Sequence, residues 1–251
     1  MKLIAGNWKM NLSKEETSNL AKSILNEFKN NKNEILLCPP FINIPVVSEI
    51  LKGSNIKIGA QNMYFEDKGA FTGEISPKML KDYSVSYVII GHSERRHIFK
   101  ENDDLINKKV IKAVKEGLIP ILCVGELLEE REKNIHFDVV KNQVEKDLEN
   151  VDLIDPNKLV IAYEPVWAIG TGKNAEPKDA YEMHKFIREL IAKKYGEDFS
   201  NNLRILYGGS VKPDNIDSFM IVSQIDGVLV GGASIKFEEF SRIIKYKGSG
   251  C

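Results

Sequence analysis

Short, largely apolar runs recur along this chain at residues 3–7, 35–38, 56–61, 87–91, 119–124, 159–163, 203–207 and 227–230. Each is bounded by polar or turn-forming positions and shows little alternation, which is the pattern of a strand buried on both faces. Between the runs the period lengthens to that of a helix. Ser13-Lys14-Glu15-Glu16 has the spacing of a capping box, and Ser76-Pro77 places an N-cap before proline at the first helical position. Beyond Pro177, the residues Ala180, Met183, Ile187, Leu190 and Ile191 fall on one stripe, so that segment reads as an amphipathic helix with its apolar side against a sheet. His184 neighbours the stripe and reads as a packed or half-exposed histidine rather than a ligand.

Alternation of strand and helix implies right-handed parallel crossovers. Eight such units in 251 residues predict a single-domain α/β protein, a (β/α)8 barrel with parallel strands inside a ring of helices. The alternative is an open doubly wound sheet, which usually carries a glycine-rich dinucleotide turn after its first strand. Here that place holds Gly6-Asn7-Trp8-Lys9-Met10-Asn11. No linker, low-complexity tract or strong internal repeat divides the chain, so 1–247 is expected to be one catalytic domain. The stretch 248–251 has a linker's composition and is set aside as an appended tail or a disordered C-terminus.

Composition narrows the function classes. Hydrophobic residues make up 43% of the chain, enough for a core, yet no run approaches the roughly 20 apolar residues that span a bilayer. Lys plus Arg number 35 against 36 Asp plus Glu, so nothing in the balance points to nucleic acid or an anionic membrane. An anionic ligand would have to be held locally. The first residues are too short an apolar stretch for a secretory signal, and three cysteines, two of them inside apolar runs (Cys38 and Cys123), offer no disulfide framework. A cytoplasmic location is expected. The histidines at 92, 97, 136 and 184 are scattered without metal-ligand spacing, and neither a metal nor a cofactor is expected.

In a barrel, residues at the carboxyl ends of the strands converge on one mouth. Those ends carry Asn7 and Lys9, then Gly91-His92-Ser93-Glu94-Arg95-Arg96, Glu164, Tyr207-Gly208-Gly209-Ser210 and Gly231-Gly232-Ala233-Ser234. Glu164 closes an apolar run, where a charge is costly to bury unless paired or used; a plain connection behind a strand-end glutamate is the alternative reading. Gly170-Thr171-Gly172-Lys173 mimics the tail of a phosphate loop, but Trp167 and Asn174 occupy the positions that such a loop gives to glycine and to serine or threonine. Two glycine-rich turns on the final strands favour a phosphate held by backbone N–H groups. A carboxylate, a histidine, a lysine and an asparagine facing a small phosphorylated molecule, with no Gly-x-Ser-x-Gly elbow, suit proton transfer on carbon next to a carbonyl.

Five segments carry a closer resemblance: 6–11, 90–96, 163–173, 207–210 and 230–234 match, in order, the motifs of the triosephosphate isomerase family, and the similarity runs to about Tyr246. The resemblance implies an isomerase of glycolysis and gluconeogenesis that interconverts dihydroxyacetone phosphate and glyceraldehyde 3-phosphate through an enediol or enediolate. It implies Glu164 as the base, His92 as the electrophile and Lys9 as the group stabilising substrate charge. Asn7, Gly170, Ser210, Gly231 and Gly232 would bind substrate, Gly170 on a closing lid; Ser93 would hold the resting carboxylate and Glu94 would pair with Lys9. A homodimer through the loop 61–74 is implied as well. Asn174 and Leu127 stand where threonine is common in the family; neither touches the chemistry directly, and Asn174 bears on lid motion. Two rivals remain at this point. An aldolase or epimerase on a phosphate-binding barrel would want a Schiff-base lysine or metal-spaced His and Asp residues; a scaffold protein that kept only the fold would not need both Glu164 and His92.

Overall fold

The structure, a computed structural model, describes residues 1–168 and 175–248. Eight strands form the sheet: β1 (Leu3–Asn7), β2 (Glu34–Cys38), β3 (Lys57–Ala60), β4 (Val85–Ile90), β5 (Ile119–Val124), β6 (Val160–Tyr163), β7 (Arg204–Tyr207) and β8 (Gly227–Val230). Every neighbouring pair is parallel, and β8 returns to β1 with Leu3 opposite Gly227. That last ladder closes the barrel and excludes the open sheet.

The lack of alternation in the strands has a simple cause: both of their faces are buried, in two different cores. Leu3, Ala5, Leu36, Ile89, Ile121, Val160, Leu206 and Leu229 fill the barrel interior. Ile4, Ile35, Leu37, Val88, Ile90, Leu122, Ile161, Ile205 and Val228 face outward and meet the helices. Strand ends shift where polar residues or backbone conformation intervene. The fourth strand starts at Val85, which pairs with Ile58 across a register shift that takes up Ser86, the polar residue that breaks the apolar run; it stops at Ile90 because Gly91 turns into the left-handed region at φ 73°. The second strand begins one residue earlier than expected, at the polar Glu34, and the third is trimmed at both ends.

The expected helix starts are present. Ser13 and Glu16 exchange both hydrogen bonds of a capping box ahead of Lys14–Phe28, and the Ser76 side chain accepts the Met79 N–H ahead of Pro77–Lys81. The stripe after Pro177 is buried along the helix Pro177–Tyr195. His184 is fully buried with it, as a packed histidine and not a half-exposed one: its Nδ1 lies 3.1 Å from the Gln224 carbonyl oxygen and its ring meets Tyr163 edge-on. Burial pushes its pKa down to about 3.

At the amino-terminal end of the barrel a polar cluster spans the interior between three non-adjacent strands. Arg204 donates to Glu34 Oε2 at 2.6 Å and to the Tyr87 hydroxyl at 2.8 Å, and that hydroxyl donates to Glu34 Oε1 at 2.7 Å. Burial raises the Tyr87 pKa to about 12. Cys38 and Cys123 are buried free thiols whose pKa values burial raises. Among the described residues no helix is long and apolar enough to cross a membrane.

Candidate active site

Glu164 follows β6 directly, and its N–H donates to the Val124 carbonyl at 2.8 Å, so the ladder with β5 continues one residue past the strand. This approach requires Gly125, where an added Cβ would lie 1.7 Å from the Glu164 carbonyl oxygen. The glutamate is held at 1% exposure, deep in the mouth. Its Oε2 accepts the Ser93 backbone N–H at 2.8 Å. Ser93 opens the short helix Ser93–His97, so a donor from the first turn of a helix is turned onto the carboxylate. The serine therefore holds the base through its backbone.

His92 caps that helix, and its Nδ1 accepts the Glu94 N–H at 3.2 Å. An accepting Nδ1 leaves the ring proton on Nε2, which points toward Glu164 Oε1 from 3.0 Å. The approach is close but poorly directed, and Oε1 has no hydrogen-bond partner among the described residues. One oxygen of the carboxylate is thus parked and the other is free beside a histidine N–H.

Lys9 reaches the same space from beyond β1. Its backbone sits at φ 51°, a strained region for a lysine. The strain is held from three sides: the Lys9 N–H donates to Asn7 Oδ1 at 3.0 Å, Gln61 Nε2 donates to the Lys9 carbonyl at 2.8 Å, and Lys9 Nζ pairs with Glu94 Oε1 at 2.7 Å. Gln61 also donates to the Cys38 carbonyl, bridging the ends of β1 and β2. The lysine stem runs past Gly231, where a Cβ would come within 3.2 Å of Lys9 Cε.

The opposite wall is built from glycine. Gly208 donates to the Tyr163 carbonyl at 2.7 Å, and a Cβ there would press on Glu164 Cγ at 3.0 Å. At Gly209 a Cβ would lie 2.2 Å from the Tyr207 hydroxyl oxygen. After β8, the Ser234 hydroxyl donates to the Gly231 carbonyl at 2.7 Å and fixes the turn that Gly232 opens. The N–H groups of Ser210 and Gly232 donate to no other backbone group among the described residues, which suits an anion. A cavity of about 700 Å³ joins the two walls, lined by Asn7, Lys9, His92 and Glu164 on one side and by Ser210, Gly231 and Gly232 on the other.

The structure brings together every site residue expected from the sequence except Gly170, which, with Asn174, lies outside the described residues. Three contributors escaped the sequence reading. Gln61 is one; its signal was an amide directly behind a strand at the mouth. Glu126 is another: it is fully buried, and its Oε1 accepts from the Tyr163 hydroxyl at 3.0 Å, Trp167 Nε1 at 2.7 Å and Arg131 at 3.2 Å. It stands behind β5 as Glu164 stands behind β6. The third, Asn215, is taken up below. Among the described residues no group of three or more His, Cys, Asp or Glu is placed to hold a metal ion. The loop 61–74 is anchored at its base, where buried Lys109 donates to Asn62 Oδ1 at 2.9 Å and to Glu101 Oε1 at 2.7 Å; residues 68–74 are exposed.

Comparison with known proteins agrees with the geometry. The family model described as triosephosphate isomerase matches residues 2–247. The chain is 54% identical to the triosephosphate isomerase of Caldanaerobacter subterraneus subsp. tengcongensis over 97% of its own length and 98% of that protein's. It is 52% identical to that of Clostridium botulinum strain Loch Maree and 53% identical to that of Finegoldia magna, each over 97% of this chain and 98% of the relative. With the barrel closed, the mouth assembled and the match spanning nearly the whole length, the chain belongs to the triosephosphate isomerase family.

Proposed function

We propose that this protein is an isomerase that interconverts dihydroxyacetone phosphate and glyceraldehyde 3-phosphate, a step of glycolysis and gluconeogenesis. The observation that carries the reading is the free Oε1 of Glu164, set 3.0 Å from His92 Nε2 and facing a glycine-built wall across the cavity. The substrate phosphate rests on the N–H groups around Ser210, Gly231 and Gly232, with Gly170 added by family resemblance alone. Its carbonyl and hydroxyl oxygens then face Lys9 and His92, and Asn7 positions them. Glu164 takes the proton from the carbon beside the carbonyl and returns it to the neighbouring carbon. The electron pair left behind forms the enediolate, whose oxygen takes a hydrogen bond from His92 Nε2–H and lies near the charge of Lys9. His92 passes its Nε2 proton to that oxygen and takes the proton of the neighbouring hydroxyl in its place, so that carbonyl and hydroxyl exchange positions as Glu164 returns its proton to carbon. A positioned base typically contributes about 10²- to 10⁴-fold. Each aligned donor to the developing oxyanion adds about 10²- to 10³-fold. Glu94 keeps Lys9 extended, and the Ser93 N–H holds the carboxylate between turnovers.

The test is Glu164→Gln, which keeps the shape of the side chain and removes the base. The wild-type protein is expected to interconvert the two triose phosphates in a coupled assay with chelator present. The variant is expected to lose about 10²-fold or more in kcat while its affinity for inorganic phosphate is retained. Full activity in the variant would end the role of Glu164.

We further infer a homodimer through the loop 61–74. Supporting it are the exposed apolar side chains of Phe71 on that loop and of Met10, Ile98 and Phe99. Sedimentation equilibrium giving twice the chain mass is expected; a single-chain mass at micromolar concentration would count against it. The two buried thiols, Cys38 and Cys123, support a cytoplasmic location.

A further inference from the structure

We propose that Asn215 is the positioning residue of the phosphate cradle, acting through the loop 208–213 and not by touching substrate; the inference rests on the function proposed above. Asn215 stands at the N-cap of the short helix Ile216–Met220, where an asparagine ordinarily turns its side-chain oxygen onto the helix's own first N–H groups. Here the side chain makes no such bond. Both ends of its amide are directed backward instead: Oδ1 accepts the Lys212 N–H at 2.8 Å, and Nδ2 donates to the Ser210 carbonyl at 2.9 Å. The Asn215 N–H adds a third tie, to the Lys212 carbonyl at 3.2 Å.

This arrangement decides what the cradle presents. Ser210, Val211 and Lys212 line the cavity and Asn215 does not. Drawing the Ser210 carbonyl toward Asn215 turns that peptide dipole away from the place where a dianion sits. An unheld carbonyl in the loop could rotate inward and set oxygen against oxygen. The partner turn after β8 is fixed in the same manner by the Ser234 hydroxyl on the Gly231 carbonyl. Each half of the cradle therefore has one polar side chain whose work is to occupy a carbonyl.

A purely structural role and a positioning role separate in the readout. The experiment uses Asn215→Ala together with Asn215→Asp, a near-isosteric variant that keeps the acceptor for Lys212 and loses the donor to Ser210. Three quantities are measured: the Kd of inorganic phosphate by calorimetry, kcat/KM for glyceraldehyde 3-phosphate, and deuterium exchange into unphosphorylated glyceraldehyde. Both variants are expected to weaken phosphate binding about tenfold and to lower kcat/KM for the phosphorylated substrate by a similar factor, with exchange into glyceraldehyde within about twofold of wild type. Unchanged phosphate affinity in both variants would overturn the inference. So would an equal fall on the phosphorylated and unphosphorylated substrates, which would mean general damage to the mouth. A wild-type protein that binds phosphate but turns over no triose phosphate would instead remove the proposed function, since the calorimetric comparison stands without catalysis.

Discussion

The two ends of this barrel each hold a glutamate away from open water, Glu34 half-buried and Glu164 buried, and they treat it in opposite ways. At the amino-terminal floor both oxygens of Glu34 are occupied, Oε1 by the Tyr87 hydroxyl and Oε2 by Arg204. At the mouth Glu164 is more deeply buried, yet it has one backbone donor on Oε2 and an Oε1 with no hydrogen-bond partner among the described residues. Protein interiors ordinarily satisfy such groups, because an unpaired buried charge is costly. At the floor the glutamate follows the rule, although Arg204 Nε has no hydrogen-bond partner among the described residues, and the cluster ties together β2, β4 and β7, which are not neighbours in the sheet. The mouth departs from it, and the departure leaves an oxygen ready to take a proton. The same side chain in the same barrel serves cohesion at one end and chemistry at the other.

Breaking the floor gives the largest expected effect on stability. Arg204→Met removes the two N–H donors that Arg204 supplies and leaves the half-buried Glu34 with only the Tyr87 hydroxyl, a loss of about 3 kcal/mol in urea unfolding. The kcat of the folded variant is expected to stay within about twofold, since the cluster lies at the far end of the barrel from Glu164. A loss below about 1 kcal/mol would place this cluster with weak surface pairs. Glu164→Gln sharpens the contrast from the other side: neutralising an under-satisfied charge is expected to leave stability unchanged or raise it, while activity collapses.

A smaller effect comes from His184, which packs edge-on against Tyr163 with its Nδ1 beside the Gln224 carbonyl and its Nε2 without a hydrogen-bond partner among the described residues. Its pKa is about 3 in the fold against 6.5 as the ordinary value. The sign follows from proton uptake: below pH 6.5 the unfolded chain takes up a proton that the folded chain refuses, so the unfolded state gains. The contribution is fully present above pH 6.5 and is lost as pH falls toward 3. Between pH 7 and pH 5 this one group should account for about 2 kcal/mol of lost stability. Urea midpoints at pH 7, 6 and 5 check it. The acid slope should shrink by that amount in His184→Gln, and an unchanged slope would assign the acid sensitivity to other groups.

The fold was legible because a strand buried on both faces leaves a continuous apolar signature, and eight of them with helices between admit few topologies. What the pattern hid were residues whose placement is decided by neighbours in space. Val85 belongs to β4 although Ser86 interrupts the run, because Val85 still pairs with Ile58 and a register shift takes up the extra residue. Glu164, His92 and Lys9 were legible because each lies within two residues of a strand's carboxyl end. Glu126 follows one too, but its meaning lies in donors at 131, 163 and 167 that only folding gathers. Glu34 and Arg204 are 170 positions apart, and no local pattern links them. Asn215 occupies a position where an ordinary helix cap is the natural expectation, and only the direction of its amide shows otherwise.

The least of the expected effects tests whether the mouth differs from the floor in field as well as in hydrogen bonding. Two lysines line the cavity: Lys9, neutralised in part by Glu94 at 2.7 Å, and Lys212, which makes no ion pair among the described residues. A dianionic substrate approaching the mouth therefore meets Lys212 as a cation outside any ion pair, two residues past the cradle's Ser210, with the acidic Asp214 and Glu239 also on the cavity lining. Lys212→Gln is expected to lower kcat/KM by roughly two- to fivefold at low ionic strength, with kcat unchanged and the difference fading as salt shortens the reach of the charge. Lys57→Gln makes the same change of charge on an exposed residue at the start of β3, on the floor, and is expected to leave kcat/KM unaltered at every salt concentration. Equal losses from the two variants would trace the effect to net charge, and the mouth would then owe its preference for the dianion to the glycine-built cradle alone.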